Sequence, residues 1–374
     1  VIKMSIKELT AGMVTATPIY SKTGQRLFPA NTVLTSQQIS YLEFYGVLWV
    51  QILPEDEIDE PSTEVPESVL SGSNLPEPEP DTESYSQKIR RSRKFHTFKV
   101  DFSKKTEALK DSFSHLIDKT EFLDSDALLD QVSSLYSNHL TSLSVFDMLH
   151  NMRQIDDTTY AHCINVSIIS RILGGWLEYS EKDLDLLTLA GLLHDIGKCQ
   201  IDPQILTKPG PLNPEEYNQI KRHPILGAAI LADYPLDDQV RSAVLMHHER
   251  CDGSGYPSGL HKDEISEFAK IVAIADVYDA MTSSRCYRKG ICPFEVIATF
   301  ERIGFERYDS KYLLPFLTHI IDTYIGNTVL LNDGSTGKVI LVNRQALSRP
   351  VVSTATNKYL DLTKHPELYI QSII

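Results

Sequence analysis

The sequence has little cysteine, no long apolar run and no excess of positive charge. Its 374 residues include five cysteines, Cys163, Cys199, Cys251, Cys286 and Cys292, an odd number with no C-x-x-C pair. That pattern indicates neither a disulfide scaffold nor a zinc ribbon, and it suits a reducing compartment. No stretch approaches the roughly 18 to 20 apolar residues of a membrane helix, and the first residues carry no secretory leader pattern. A cytoplasmic chain with no membrane partner is expected. Lysine and arginine total 36 against 50 acidic residues. Without a cationic surplus, duplex nucleic acid is a poor partner, because phosphate neutralisation supplies most of that affinity. The net charge of −14 is also uneven: eleven acids and no base lie between Pro54 and Tyr85, leaving about −3 for the rest.

What is present is ordinary globular material. Hydrophobic residues make up 42% and charged residues 23%, and the length exceeds that of one typical domain. Residues 1–53 read as a small α+β module. It has a hairpin signal at Ser21-Lys22-Thr23-Gly24, a helical repeat of Ile39, Leu42 and Tyr45, and a strand from Val47 to Leu53. Residues 54–95 read as a linker, acidic and proline-rich at first, then basic at Lys88, Arg90, Arg91, Arg93 and Lys94. The basic end is either a phosphate patch or a solvated counterpart to the acidic run.

Residues 96–325 have helical periodicity. Ser180 is a good N-cap ahead of Leu184, Leu187, Ala190 and Leu193, and Asn213-Pro214-Glu215-Glu216 repeats that logic with proline at the first helical position. Residues 326–374 return to alternating β-branched residues around Asn332-Asp333-Gly334, which predicts a small β appendage. The fold class is therefore mainly α, with small modules at both ends.

Within the helical part, histidines and acids recur in telling places. His194-Asp195 closes an apolar helix, and Gly197 reads as its stop signal, so both side chains are expected at a helix end opening into a cleft. Adjacent helical residues point about 100° apart, so this pair shares a metal only close to the helix end, or if Asp195 bridges two metals. His162 precedes on its own helix, His223 follows on another, and His247-His248 ends an amphipathic segment that starts near Asp237. Asp276 lies in an otherwise apolar helix, where a carboxylate must be hydrogen-bonded, paired or metal-bound. Each element alone has a bland reading as a core histidine or a chance dipeptide. Their order and spacing carry the signal.

In that order the sequence resembles the HD-GYP subgroup of the HD-superfamily metallophosphohydrolases. The resemblance runs through His162, His194-Asp195-Ile196-Gly197-Lys198, Glu216 with His223-Pro224, His247-His248-Glu249 and Gly255-Tyr256-Pro257, then Asp276-Val277-Tyr278-Asp279 and Arg285 with Tyr287-Arg288. It covers about residues 155–295. It implies an HD-type helical bundle that holds two or three transition metals, iron or manganese, and hydrolyses cyclic di-GMP in bacterial signalling. By resemblance, His162, His194, Asp195 and Asp276 hold one metal. Asp195, His223 and His247 hold a second, with Asp195 bridging. Asp276 also orients the nucleophile, Lys198 meets a substrate phosphate, and Arg285 and Arg288 grip phosphate or guanine from the other side. Tyr256 either donates to a phosphate oxygen or anchors packing. The Gly-Tyr-Pro loop lies against the nucleotide or presents a docking surface for a signalling protein.

One departure bears on metal count. Where three-metal members carry a glutamate one helical turn before the first histidine ligand, this chain has Thr158, a far weaker ligand. Two metals are expected, with His248 beside an open third position; the expected product is the linear dinucleotide pGpG, with GMP as the alternative end product. The competing readings are a catalytically weak dinucleotide sensor that signals through a docked partner, and a hydrolase of another cyclic dinucleotide. The amphipathic helices between Phe98 and His150 offer a surface for a homodimer.

Overall fold

The computed structural model describes residues 2–6, 9–10, 12–20, 26–28, 30–32, 34, 39, 42, 47, 49–54, 85–120, 122–137, 142–152, 159–208, 210–283, 290–354 and 358–374. The Ser21–Gly24 turn, most of the helix expected over 36–45, most of the acidic linker, Thr158, Arg285, Tyr287 and Arg288 lie outside these residues. The chain divides into two compact units, 1–77 and 78–374.

In the first unit, β1 (Ile2–Ser5) pairs antiparallel with β4 (Trp49–Ile52), and β2 (Ile19–Tyr20) with β3 (Arg26–Phe28). In sequence, β2 and β3 lie on either side of Ser21-Lys22-Thr23-Gly24. Alternation in β4 sends Val50 and Ile52 inward, where they join Ile6, Leu9, Ile19, Leu34, Leu42 and Val47 in a small core.

The second unit is mainly helical. It starts with α1 (Tyr85–Arg91), α2 (Arg93–Asp118), α3 (Ser125–Ser137) and α4 (Ser142–Met152). The basic cluster 88–94 is therefore helical and not the end of a linker. Ser92 caps α2 by accepting from the amide of Phe95, and Phe95, Phe98, Phe102, Leu109, Phe113 and Leu116 form a buried stripe at helical spacing. Lys88, Arg91, Arg93 and Lys94 are exposed, while Arg90 is half-buried and donates to Asn151 Oδ1 at 2.8 Å.

At the centre lies α5 (Thr159–Trp176), buried at every position from Ala161 to Ser170. It packs against α2, α6 (Glu181–Leu193), α10 (Glu267–Thr282) and α12 (Ser310–Asp322). A helix apolar on all sides belongs in such a position. Ser180 caps α6 through the amide of Asp183, as its sequence predicts. Asn213 and Glu216 form a reciprocal capping box at α7 (Pro214–Ile220), and each such cap is worth about 1 kcal/mol. Then come α8 (His223–Leu231), α9 (Asp238–Met246), capped by Asp237, and after α10 the short α11 (Pro293–Thr299).

The C-terminal strands β5 (Thr328–Leu331), β6 (Thr336–Leu341), β7 (Val351–Thr354), β8 (Tyr359–Asp361) and β9 (Ile370–Ile373) form one antiparallel sheet in the order β8-β7-β6-β5-β9. Gly334, at φ 85°, makes the predicted β5–β6 turn. The sheet is not a free-standing appendage: Val329, Leu331, Val339, Val352 and Ile370 share the core of the helices.

Candidate metal centre

The seven residues expected as ligands converge from five helices. His162 comes from α5. His194 caps α6 with backbone that is still helical, at φ −53° and ψ −36°, and Asp195 breaks away at φ −103° and ψ 7°. That break lets adjacent side chains address one point. Gly197 does not stop α6 in the way the sequence suggests, since it sits inside a 3-10 turn, Ile196–Gln200. A Cβ there would lie 2.0 Å from the carbonyl oxygen of His223 and 2.5 Å from the amide nitrogen of Gly227. Glycine is needed because this turn presses directly on the start of α8, which brings His223 to Asp195. His247 caps α9, His248 follows it, and Asp276 reaches in from α10.

Asp195 stands between two groups. Its Oδ2 lies 3.3 Å from His194 Nε2 and 3.8 Å from His162 Nε2, while its Oδ1 lies 3.2 Å from His223 Nε2 and 3.9 Å from His247 Nε2. Asp276 links the sides a second time, with Oδ1 3.0 Å from His162 Nε2 and Oδ2 3.7 Å from His248 Nδ1. Ligand atoms of His162, His194 and Asp195 lie within 4.8 Å of one another, as do those of Asp195, His223, His247 and His248. His248 thus joins the second group. His194, Asp195, His223 and His247 are wholly enclosed, deeper than the cleft expected from the sequence.

The proton positions follow from the second partners. His194 Nδ1 donates to the carbonyl of Gly191 (2.8 Å), His223 Nδ1 to that of Ile220 (2.8 Å) and His247 Nδ1 to that of Val244 (2.9 Å). A carbonyl only accepts, so each Nδ1 carries hydrogen and, in the neutral ring, each Nε2 offers a lone pair inward. Yet His223 Nε2 and His247 Nε2 face each other at 3.1 Å, and His194 Nε2 and Asp195 Oδ1 are buried with no hydrogen-bond partner. Facing lone pairs repel unless a proton or a metal cation lies between them. Burial, followed by the charge of neighbouring His248, pushes His247 well below the usual imidazole range, which disfavours the proton. The cluster fits a divalent metal site, and imidazole with carboxylate is the donor set of Fe, Mn or Zn.

The remaining electrostatics agree. Burial opposes charge on His162, but hydrogen bonds to Asp276 and then Asp279 outweigh it and lift the imidazolium to about 9. His248 is pushed down to about 3, chiefly by burial, with Asp276 opposing. Burial would raise Asp195, yet Lys198 and then His194 hold it well below the usual carboxylate range. Asp276 is likewise depressed against burial, first by its hydrogen bond with His162. Two enclosed carboxylates that stay ionised need positive charge beside them, since an uncompensated buried ion costs several kcal/mol.

Lys198 Nζ donates to Asp195 Oδ2 at 2.5 Å, placing its charge against the shared carboxylate. The Tyr256 ring stacks on His248, with centroids 4.6 Å apart and planes at 28°. Two residues noted in the sequence only as part of the motif take on definite contacts. Asp279 Oδ2 accepts from His162 Nδ1 at 2.8 Å and so aims Nε2 at the cluster. Its signal was the three-residue spacing from Asp276 on one buried helix face. Glu249 is buried and accepts from the amides of Ser258 and Leu260.

Residues 133–312 match the family model described as HD domain. Over 226 residues the chain is 35% identical to the cyclic di-GMP phosphodiesterase PA4108 of Pseudomonas aeruginosa, covering 60% of this chain and 54% of that protein. Over 187 residues it is 36% identical to a cyclic di-GMP phosphodiesterase of Thermotoga maritima, covering 49% and 50%. The chain thus spans about half the length of these curated relatives. In fold it resembles Bd1817, a HDG"Y"P protein of Bdellovibrio bacteriovorus, with a TM-score of 0.50 at 15% identity over 85% of this chain and 99% of that one. The His-Asp cluster and the Gly255-Tyr256-Pro257 loop both lie within residues 133–312, the part of the chain that matches the HD domain model.

Proposed function

We propose that this chain is a metal-dependent phosphodiesterase that opens cyclic di-GMP to pGpG, using two divalent cations, iron or manganese. The observation that carries the reading is the division of Asp195, with one carboxylate oxygen toward His162 and His194 and the other toward His223 and His247. In the proposal His162, His194, Asp195 and Asp276 would hold one cation, and Asp195, His223 and His247 would hold the second beside His248. When bound, such cations would supply charge neutralisation at the phosphodiester and a more acidic water at neutral pH.

The protein's own groups do the rest. Asp276, ionised and facing both sides, accepts a hydrogen bond from the attacking water and so orients it. Lys198 leaves Asp195 for a non-bridging phosphate oxygen, acting as a point charge. Arg285 and Arg288 hold the outer phosphate or guanine edges, and Tyr256 walls the mouth of the site. The same proposal covers a cytoplasmic location, in keeping with the free thiols of Cys163, Cys199, Cys251 and Cys292. No described helix is long and apolar enough to cross a membrane. It also covers a signalling partner at the Gly-Tyr-Pro loop and a homodimer.

The test is product chromatography of anaerobically purified, metal-loaded protein offered cyclic di-GMP and competing cyclic dinucleotides. The expected result is pGpG from cyclic di-GMP, with Asp195→Asn inactive. Intact cyclic di-GMP with tight binding would favour the sensor reading, and faster turnover of another dinucleotide would reassign the substrate.

A further inference from the structure

The loop that gives the subgroup its name is fastened to the metal centre by one buried carboxylate. Glu249 follows His247 and His248 directly and is almost wholly enclosed. Its Oε1 accepts from the amide of Ser258 at 2.7 Å and its Oε2 from the amide of Leu260 at 2.9 Å. The loop lies flush on the backbone that carries these residues: a Cβ on Gly255 would fall 2.4 Å from Glu249 Cα and 2.4 Å from the amide nitrogen of Arg250. The Tyr256 amide donates to the carbonyl of His248 at 3.2 Å, and a bridge between Asp252 and His261 closes the loop at its base. The result is a small lobe whose outer segment, 258–260, hangs on Glu249 and whose Tyr256 ring stacks on His248.

We infer that Glu249 is a positioning residue, a latch that holds Tyr256 over His248 and so sets the wall against which the nucleotide seats. The inference rests on the proposed phosphodiesterase reading for its kinetic consequence, but its structural half stands without it. A buried carboxylate receiving two amide hydrogen bonds makes stronger bonds than a neutral acceptor would. Glu249→Gln keeps size and shape, yet turns one acceptor into an amide that faces an N–H, so one bond is lost and a donor clash replaces it. Glu249→Asp keeps the charge on a stem one methylene shorter.

Hydrogen exchange on the whole metal-loaded chain, followed by mass spectrometry, reads the latch directly. In Glu249→Gln the amides of 255–260 should exchange at least about ten-fold faster. Those of α5, α6 and α10, and the bound metal per chain, should stay as in the parent. Glu249→Asp should fall between the two. Under cyclic di-GMP turnover, KM should rise about ten-fold in Glu249→Gln while kcat changes less, the signature of lost substrate seating. Unchanged loop exchange would overturn the latch. Faster exchange in α5, α6 and α10 would reduce Glu249 to a general packing role, and a loosened loop with unaltered KM and kcat would remove its part in catalysis. If the parent turns over no cyclic dinucleotide, the phosphodiesterase reading fails, while the exchange data still decide the latch.

Discussion

The two sides of Asp195 both use imidazoles but hold and charge them differently. On the His162 side, Asp195 is joined by Asp276, and His162 is oriented by a third carboxylate, Asp279. On the His223 side, Asp195 supplies the carboxylate of the described cluster, and the His223 and His247 rings are oriented by neutral backbone carbonyls. A carboxylate behind a ligand histidine raises its basicity more than a carbonyl does. If each side takes a cation as proposed, the carboxylate behind His162 should make the first side the tighter one.

Losing the shared residue should abolish the contrast and give the largest effect. Asp195→Asn removes the bridge from both sides, so metal analysis should find both ions lost, and turnover should drop by roughly 1,000-fold, about 4 kcal/mol of barrier. Retention of two ions would show that Asp195 is not the bridge. Asp279→Asn attacks one side. Cation affinity there should weaken by about 10 to 100-fold, with uptake by the His223 side unaffected, as read by metal titration calorimetry.

The contrast should also depend on pH. In the metal-free protein His162 keeps its proton up to about 9, so below that value an entering cation must displace it. Lowering the pH by one unit from about 8 should therefore weaken uptake on that side about ten-fold. His248 is pushed down to about 3 and His247 also lies low, so neither has a comparable proton to release. Equal pH slopes in the titrations would contradict this assignment. At the small end, Ser180→Ala loosens α6 at the end remote from its ligands. It should lower stability by about 1 kcal/mol in denaturant unfolding and leave metal content alone.

How much of this was legible in the sequence depended on whether a residue's role was local. Caps and turns were: Ser180, Asn213 and Gly334 act through neighbours a few positions away. The ligand histidines and acids were found by order and spacing along the chain. That His248 sides with His223 and His247 depends on how α9 ends relative to α8, a tertiary fact. Gly197 was noticed for the wrong reason, because the backbone it makes room for lies 26 residues further on, at His223. The partner of Asp279 lies 117 residues away and those of Glu249 depend on how the following loop folds back, so neither contact can be read from local pattern. The basic run 88–94 was misjudged because its charges are conspicuous and the phenylalanine stripe that follows is what determines its fold.

The most direct test of the two-sided centre is an anomalous-scattering crystal structure of the manganese-loaded protein. The account predicts two peaks, one beside each Asp195 oxygen, with the occupancy on the His223 side falling first as manganese is withdrawn. A single peak at full loading, or two peaks that share one oxygen of Asp195, would contradict it.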